Sequence, residues 1–475
     1  MTTLLTPDIC VIGAGAGGLA VAAGAAAFGV PVVLVENGRA DDPSLDHGCG
    51  PSKALTAAAA VAEAIRDAGR FGIAVSEPDV DFRAVHRHVR STMAALAPNA
   101  SPGRFTAMGV QVVRAEGRFR DRHTVVAGDC EIRARRFVIA AGSTPIVPPI
   151  PGLGETGYLT DATVFELTRR PSHLIIVGAG RVGLELAQAH RRLGSQVTVV
   201  EAAAALGGED PELVAVVLRR LRAEGIDIRE RTSVVSVERR GRSGVRALLD
   251  CEGTAHVVDG SHILVAAGRR ANLAALDLDR AGIRHDECGI RVDDGLRTSN
   301  RRVYAIGHAA GGPSYAHAAN HQGALLLRPL LFRLSARPRR TAIPRVTFTR
   351  PELAQVGLTE AEAIEAHGKV SVQRWPYSEN DRAQAERSTE GFVKLVLGKD
   401  GRILGVGIAG AGAGEMIGVW QLALSRGLTL RDMAEWLPPH PTLGEIGKHA
   451  AIAYFAPRAR RPMVRRLVRL LRRFG

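Results

Sequence analysis

The 475-residue chain is short of cysteine and lysine and carries no acid at one end, and each shortage excludes something. Its five cysteines, Cys10, Cys49, Cys130, Cys251 and Cys288, are odd in number and widely scattered, which excludes a secreted disulfide framework. Only five of the 62 basic residues are lysines, so a lysine in a motif stands out against a background that otherwise uses arginine. No basic residue precedes the first apolar run, and Asp8 sits where a signal peptide would carry positive charge. No charge occurs between Ile9 and Val35, yet Gly13, Gly15, Gly17, Gly18, Gly24, Gly29 and Pro31 interrupt that stretch, which argues against a membrane span. A cytoplasmic protein is expected. No acid occurs in residues 458–475, which hold eight arginines; without them the formal charge falls from +14 to 54 basic against 48 acidic residues. The basic excess is therefore largely local.

What is present is ordinary globular composition, 46% hydrophobic and 23% charged, over a length that suggests about three domains. One unit is written twice. Asp8 to Glu36 and Leu174 to Glu201 each read as a short apolar run, G-x-G-x-x-G, a helical segment, a glycine turn and a β-branched run ending in Glu. Gly13 to Glu36 spans 23 positions, as does Gly178 to Glu201, and apolar strands closing at Gly142 and Gly268 follow downstream. This predicts two βαβ dinucleotide-binding domains. In the first, Gly13 permits the tight turn, Gly15 the approach of a pyrophosphate and Gly18 close helix–sheet packing; Gly178, Gly180 and Gly183 repeat the set. Glu36 and Glu201 are placed to accept hydrogen bonds from ribose hydroxyls, and their charge disfavours a 2′-phosphate. Arg191 and Arg192, in the second helix, are expected to face solvent. Two dinucleotide sites imply hydride transfer from a nicotinamide to a second, bound carrier. Residues 53–100 read as helical, Pro145 to Gly152 as a proline-rich linker, and Val303 to Gly312 as a further strand ending at a ligand.

Over roughly residues 7–456 these features resemble the FAD-dependent pyridine nucleotide–disulfide oxidoreductases, the group that includes dihydrolipoamide dehydrogenase and mercuric reductase. The resemblance rests on both fingerprints, on G-C-x-P-S-K-A-L from Gly48 to Leu55, on Glu185, on A-x-G-R at Gly268, on I-G-x-A-A-G at Gly307, and on H-P-T-L-G-E from His440 to Glu445. It implies an α/β fold with duplicated Rossmann-like FAD and NAD(P) domains plus an α+β C-terminal dimerisation domain. The expected boundaries are 1–152 and 273–343 for the FAD-binding part, 153–272 for the NAD domain, 344–457 for dimerisation and 458–475 for a tail. It further implies a homodimer, FAD as cofactor and a small-molecule electron acceptor; no metal is expected, and NADH is expected in preference to NADPH because Glu201 is not followed by an arginine.

By the same resemblance Cys49 is the flavin-facing thiol, and Lys53 lies near the flavin and pairs with Glu185. His440 and Glu445 are base and orienter, completing the neighbouring subunit's site. Gly117, Gly142, Gly268 and Gly307 line cofactor. The chain departs from the pattern at three places. Ser44 stands where the second cysteine of the disulfide belongs, and a hydroxyl cannot form one. Asp41-Asp42-Pro43 replaces a glycine pair, and His308 replaces the aspartate expected on the flavin ribitol. The expectation is an NADH-to-FAD oxidoreductase without a disulfide relay; the alternative is a non-catalytic paralogue acting as a dimeric binding or regulatory protein. In the tail, Val464, Leu467, Val468, Leu471 and Phe474 recur at helical spacing opposite Arg465, Arg466, Arg469, Arg472 and Arg473. That pattern suits an anionic membrane surface better than nucleic acid, so a peripheral position at the inner face of the membrane is the accompanying expectation.

Overall fold

A computed structural model describes residues 2–37, 49–241, 244–336, 343–459 and 461–474, without the side chains of Cys49, Asp400, Arg458 and Ala459. The runs ICVI and VVLVE form the parallel strands Ile9–Ile12 and Val32–Glu36, almost wholly buried, as strands covered on both faces must be. The first sheet runs Val303–Ala305, Arg136–Ile139, Ile9–Ile12, Val32–Glu36, Val110–Arg114, all parallel. The second repeats the pattern with Leu159–Thr160, His262–Val265, His173–Val177, Gln196–Val200 and Asp227–Arg229. Each half also carries an antiparallel meander, built on Gly117–Asp121 in the first and on Thr232–Arg240 in the second.

The helix Ala16–Ala27 has no polar face because it is enclosed between its own sheet and the helix Ala316–Leu331. Small residues set that spacing: a Cβ on Gly323 would come within 2.5 Å of the Gly17 carbonyl oxygen. The chain crosses into the second half through Ser143–Pro145 and returns through Arg269–Ala271, and these two crossings pair antiparallel. Arg269 fastens the crossing. Its guanidinium donates to the Ser143 hydroxyl (3.0 Å) and carbonyl (2.6 Å) and pairs with Asp161.

The third region is a five-stranded antiparallel sheet in the order Arg345–Thr347, Glu352–Gly357, Ile403–Gly410, Phe392–Leu397, Ser371–Pro376. The helices Ala413–Arg426 and Glu445–Ala459 cover it, and Trp420, Ile417 and Ile446 fill the layer between. A helix Pro462–Leu471 follows, with every residue exposed. Among the described residues no helix is long and apolar enough to cross a membrane.

One expectation is corrected. Arg192 does not face solvent: it is 5% exposed and donates twice to Glu224, at 2.9 and 2.6 Å, while Arg191 donates to the Glu224 carbonyl at 2.6 Å. The physical reason is that this helix is covered on its polar side by the third region, where the Arg350 carbonyl accepts from Gln188 at 2.7 Å.

Candidate active site

Both fingerprints build the same cradle. Gly13 and Gly178 adopt φ +107° and +109°, and a Cβ there would strike the carbonyl oxygens of Ala140 and Ala266 at 2.3 and 2.4 Å. Gly15 and Gly180 have nothing within 4 Å of a would-be Cβ. They are also the N-caps of Ala16–Ala27 and Arg181–Arg192, with no side-chain cap. The first backbone N–H groups of both helices are thus left for an anion, with the positive end of the dipole behind them. Gly18 and Gly183 lie against the Gly13 and Gly178 carbonyls, each with a would-be Cβ at 2.0 Å. These cradles fit the pyrophosphates of two dinucleotides.

The second cradle opens into a cavity of about 710 Å³ lined by Gly178, Gly180, Glu201, Gly268 and His308. Glu201 accepts from the N–H of Ala179 at 2.8 Å and of Ala203 at 3.0 Å, which fixes its carboxylate beside the fingerprint loop. Burial lowers the pKa of His308, and the nearby Arg269 charge adds to this against a backbone hydrogen bond, so its neutral form is favoured. Its Nδ1 is buried with no hydrogen-bond partner among the described residues, an orphan that a polyol hydroxyl would satisfy. Glu36 ends its strand beside the first cradle, partly buried. Gly117 packs on Val35 and Ile12 at the start of its strand, and Gly142 follows the strand that flanks the cradle. The Gly307 N–H donates to Gln322 at 2.7 Å.

Lys53, on the helix Cys49–Asp67, reaches across to Glu185 on Arg181–Arg192, with Nζ 2.6 Å from Oε2. The other carboxylate oxygen accepts the Phe348 N–H at 2.9 Å, and the Lys53 ammonium lies 4.1 Å above the Phe348 ring. Glu185 is thereby buried with both oxygens engaged, and the three regions meet at one ion pair. Cys49 begins that helix, four positions before Lys53. Ser44 and Asp41-Asp42-Pro43 lie outside the described residues. His440 sits apart and exposed (66%), its Nδ1 3.1 Å from Glu445 Oε1. Against the cost of burial, the Thr442 N–H and His440 hold the Glu445 carboxyl below its ordinary range. Among the described residues no cluster of His, Cys, Asp and Glu could hold a metal ion.

Sequence reading missed Phe348, Gln322, Asp161 and Arg181. The first three are brought in from distant segments. Arg181 carried a readable signal, because it occupies the position that Ala16 holds in the first fingerprint.

Two dinucleotide cradles joined by a lysine–glutamate pair, with an antiparallel sheet domain behind them, define a two-cofactor oxidoreductase. The models of the pyridine nucleotide-disulphide oxidoreductases match residues 7–323, and those of that family's dimerisation domain match residues 343–451. The chain belongs to this family: it is an FAD-dependent NAD(P)H oxidoreductase that assembles as a homodimer. It is 36% identical to a mercuric reductase of Streptomyces lividans and 34% to a dihydrolipoyl dehydrogenase of Geobacillus stearothermophilus, in both cases over 94% of this chain and 95% of the relative. Among solved structures it is similar to the Cu(II) complex of the HOCl-induced flavoprotein disulfide reductase RclA from Escherichia coli. The TM-score is 0.83 at 25% identity, over 94% of this chain and 99% of that one.

Proposed function

We propose that this protein draws hydride from NADH and delivers the electron pair to a small-molecule acceptor without a cysteine–cysteine relay. The observation that carries the reading is the Lys53–Glu185 bridge, which ties the helix that follows the first cradle's domain entry to the helix that opens the second. FAD, when bound in the first cradle, supplies the two-electron carrier between nicotinamide and acceptor. Lys53 is the cation held ready beside it, since a compact ammonium stabilises negative charge developing on a reduced ring. Glu185 fixes that ammonium in place and is itself fixed by the Phe348 N–H. Glu201, with Ala202 and Ala203 after it in place of an arginine, favours NADH, because its carboxylate meets a ribose hydroxyl as acceptor and a 2′-phosphate as a like charge.

His440 and Glu445 exchange protons with the acceptor in the partner's site: Glu445 holds Nδ1, leaving Nε2 for the acceptor. Cys49 remains as a single thiol at a helix start, and Ser44 removes the disulfide. The test is anaerobic stopped-flow reduction of the FAD-loaded protein. Reduction by NADH should outpace reduction by NADPH, and Lys53→Met should slow it by roughly 10²-fold. Equal rates for NADH and NADPH would remove the Glu201 argument, and an unchanged rate in Lys53→Met would remove the role given to the bridge.

The same reading places the dimer at an anionic membrane surface through residues 458–475. In its support, Pro462–Leu471 is helical, Leu467, Val468 and Leu471 are at least half exposed, and Arg465, Arg466 and Arg469 share the helix. Basic residues near an anionic leaflet contribute about 1 kcal/mol each, and a homodimer offers two such helices.

A further inference from the structure

The two cradles differ at one charged position. Aligned by their glycines, Gly13-Ala14-Gly15-Ala16 matches Gly178-Ala179-Gly180-Arg181. The first fingerprint therefore offers its anion backbone N–H groups and a helix dipole, with no charged side chain at this position. The second adds a guanidinium on the first residue of the helix, immediately after the uncapped Gly180.

That guanidinium is held at the cavity. Arg181 lines the 710 Å³ space together with Gly178, Gly180 and Ser314. Its Cζ lies 4.1 Å above the ring of Tyr315, which in turn stacks on His317 with centroids 5.3 Å apart. Tyr315 is the N-cap of Ala316–Leu331, the helix that packs on the first cradle's own helix. Glu209 feels the Arg181 charge but is itself paired with Arg345 at 3.2 Å. The other arginine on the cavity wall, Arg269, is committed to Asp161 and Ser143. Among the described residues Arg181 is thus oriented by a ring rather than paired with a carboxylate, and its charge faces the cavity.

We propose that Arg181 is the pyrophosphate clamp of the second cradle, a charge supplied where the dinucleotide must bind and leave in each turnover, at a position that Ala16 holds in the first fingerprint. This rests on the reading of the second cradle as the nicotinamide dinucleotide site. A guanidinium meets phosphate oxygens through two parallel N–H donors, which strengthens binding and fixes the pyrophosphate over the helix start. It also raises the association rate of an anionic ligand, an effect that salt screens.

The experiment is isothermal titration of the FAD-loaded dimer with ADP-ribose, which carries the pyrophosphate without the nicotinamide, and with adenosine as the uncharged control. Arg181→Met should weaken ADP-ribose about tenfold and flatten the dependence of its affinity on salt, with adenosine unaffected. Arg181→Lys, which keeps the charge on a different head, should recover part of the loss and serves where the methionine variant folds poorly. Tyr315→Leu should stay within about fivefold of the wild type, because the ring only orients the charge. Unchanged ADP-ribose affinity in Arg181→Met would overturn the clamp while leaving the nicotinamide site standing. A loss in Tyr315→Leu equal to that in Arg181→Met would overturn it in favour of a purely structural contact. Failure of the wild-type protein to bind ADP-ribose would remove the reading of the second cradle and the clamp with it.

Discussion

His190 is fully buried, stacked on Phe82 at 6.0 Å between ring centroids, and neither of its ring nitrogens has a hydrogen-bond partner among the described residues. Burial, reinforced by His262, lowers its pKa to about 4. Between that value and the ordinary histidine value the unfolded chain holds the extra proton, so stability rises with pH across this window and is lost as pH falls through it. At about 1.4 kcal/mol per pH unit, the loss between pH 7 and pH 4 is about 3 kcal/mol. Chemical denaturation at the two pH values should show it, and His190→Leu should reduce the difference by most of that amount; an unchanged difference would place the acid sensitivity elsewhere. Lys394 is the opposite case, a buried cation (3% side-chain exposure) that meets Asp210 at 2.8 Å, Glu212 at 2.7 Å and Glu360 at 2.8 Å. Asp210 is itself buried and caps the helix Pro211–Ala223, so Lys394→Met strands a buried carboxylate. The expected cost is about 3 kcal/mol in denaturant unfolding, partly restored by adding Asp210→Asn; a neutral single variant would contradict it.

At the scale of elements, the helix Pro462–Leu471 carries its own prediction. Deleting residues 458–475 should abolish co-sedimentation with vesicles rich in phosphatidylglycerol and leave the dimer intact by light scattering. Equal vesicle binding by the shortened chain would end the membrane reading. This helix was legible in sequence because its two faces are fully local: apolar and arginine positions alternate at a period of 3.6 with nothing else consulted. The duplicated cradles were legible for the same reason, each needing only a turn glycine, a helix start and a β-branched run in order. The polar side of Arg181–Arg192 was not. Whether Arg192 faces water depends on Glu224, 32 positions later, and on the Arg350 carbonyl in another region. Phe348 beneath Lys53 was hidden likewise, since no local pattern links positions 53, 185 and 348. The bridging pair itself was found only because a rare lysine stood in a recognisable segment. Its chemistry could be read from sequence, but its packing could not.

At the scale of the molecule, the proposed electron path has one component altered. The first cradle, the lysine–glutamate bridge, the second cradle and the dimerisation sheet are all built, while the position of the second redox thiol is a serine. Electron counting makes the consequence measurable. A family member with its disulfide stores the first electron pair in sulfur; on the proposed reading a chain with Ser44 lacks that store, and the pair rests on the flavin. The direct measurement is anaerobic titration of the FAD-loaded dimer with NADH, followed by flavin absorbance. One equivalent of NADH per flavin is predicted to bleach the flavin fully from the first addition. A flavin that stays oxidised through the first equivalent and bleaches only with the second would reveal a working disulfide and contradict the account, as would a flavin that NADH does not bleach at all.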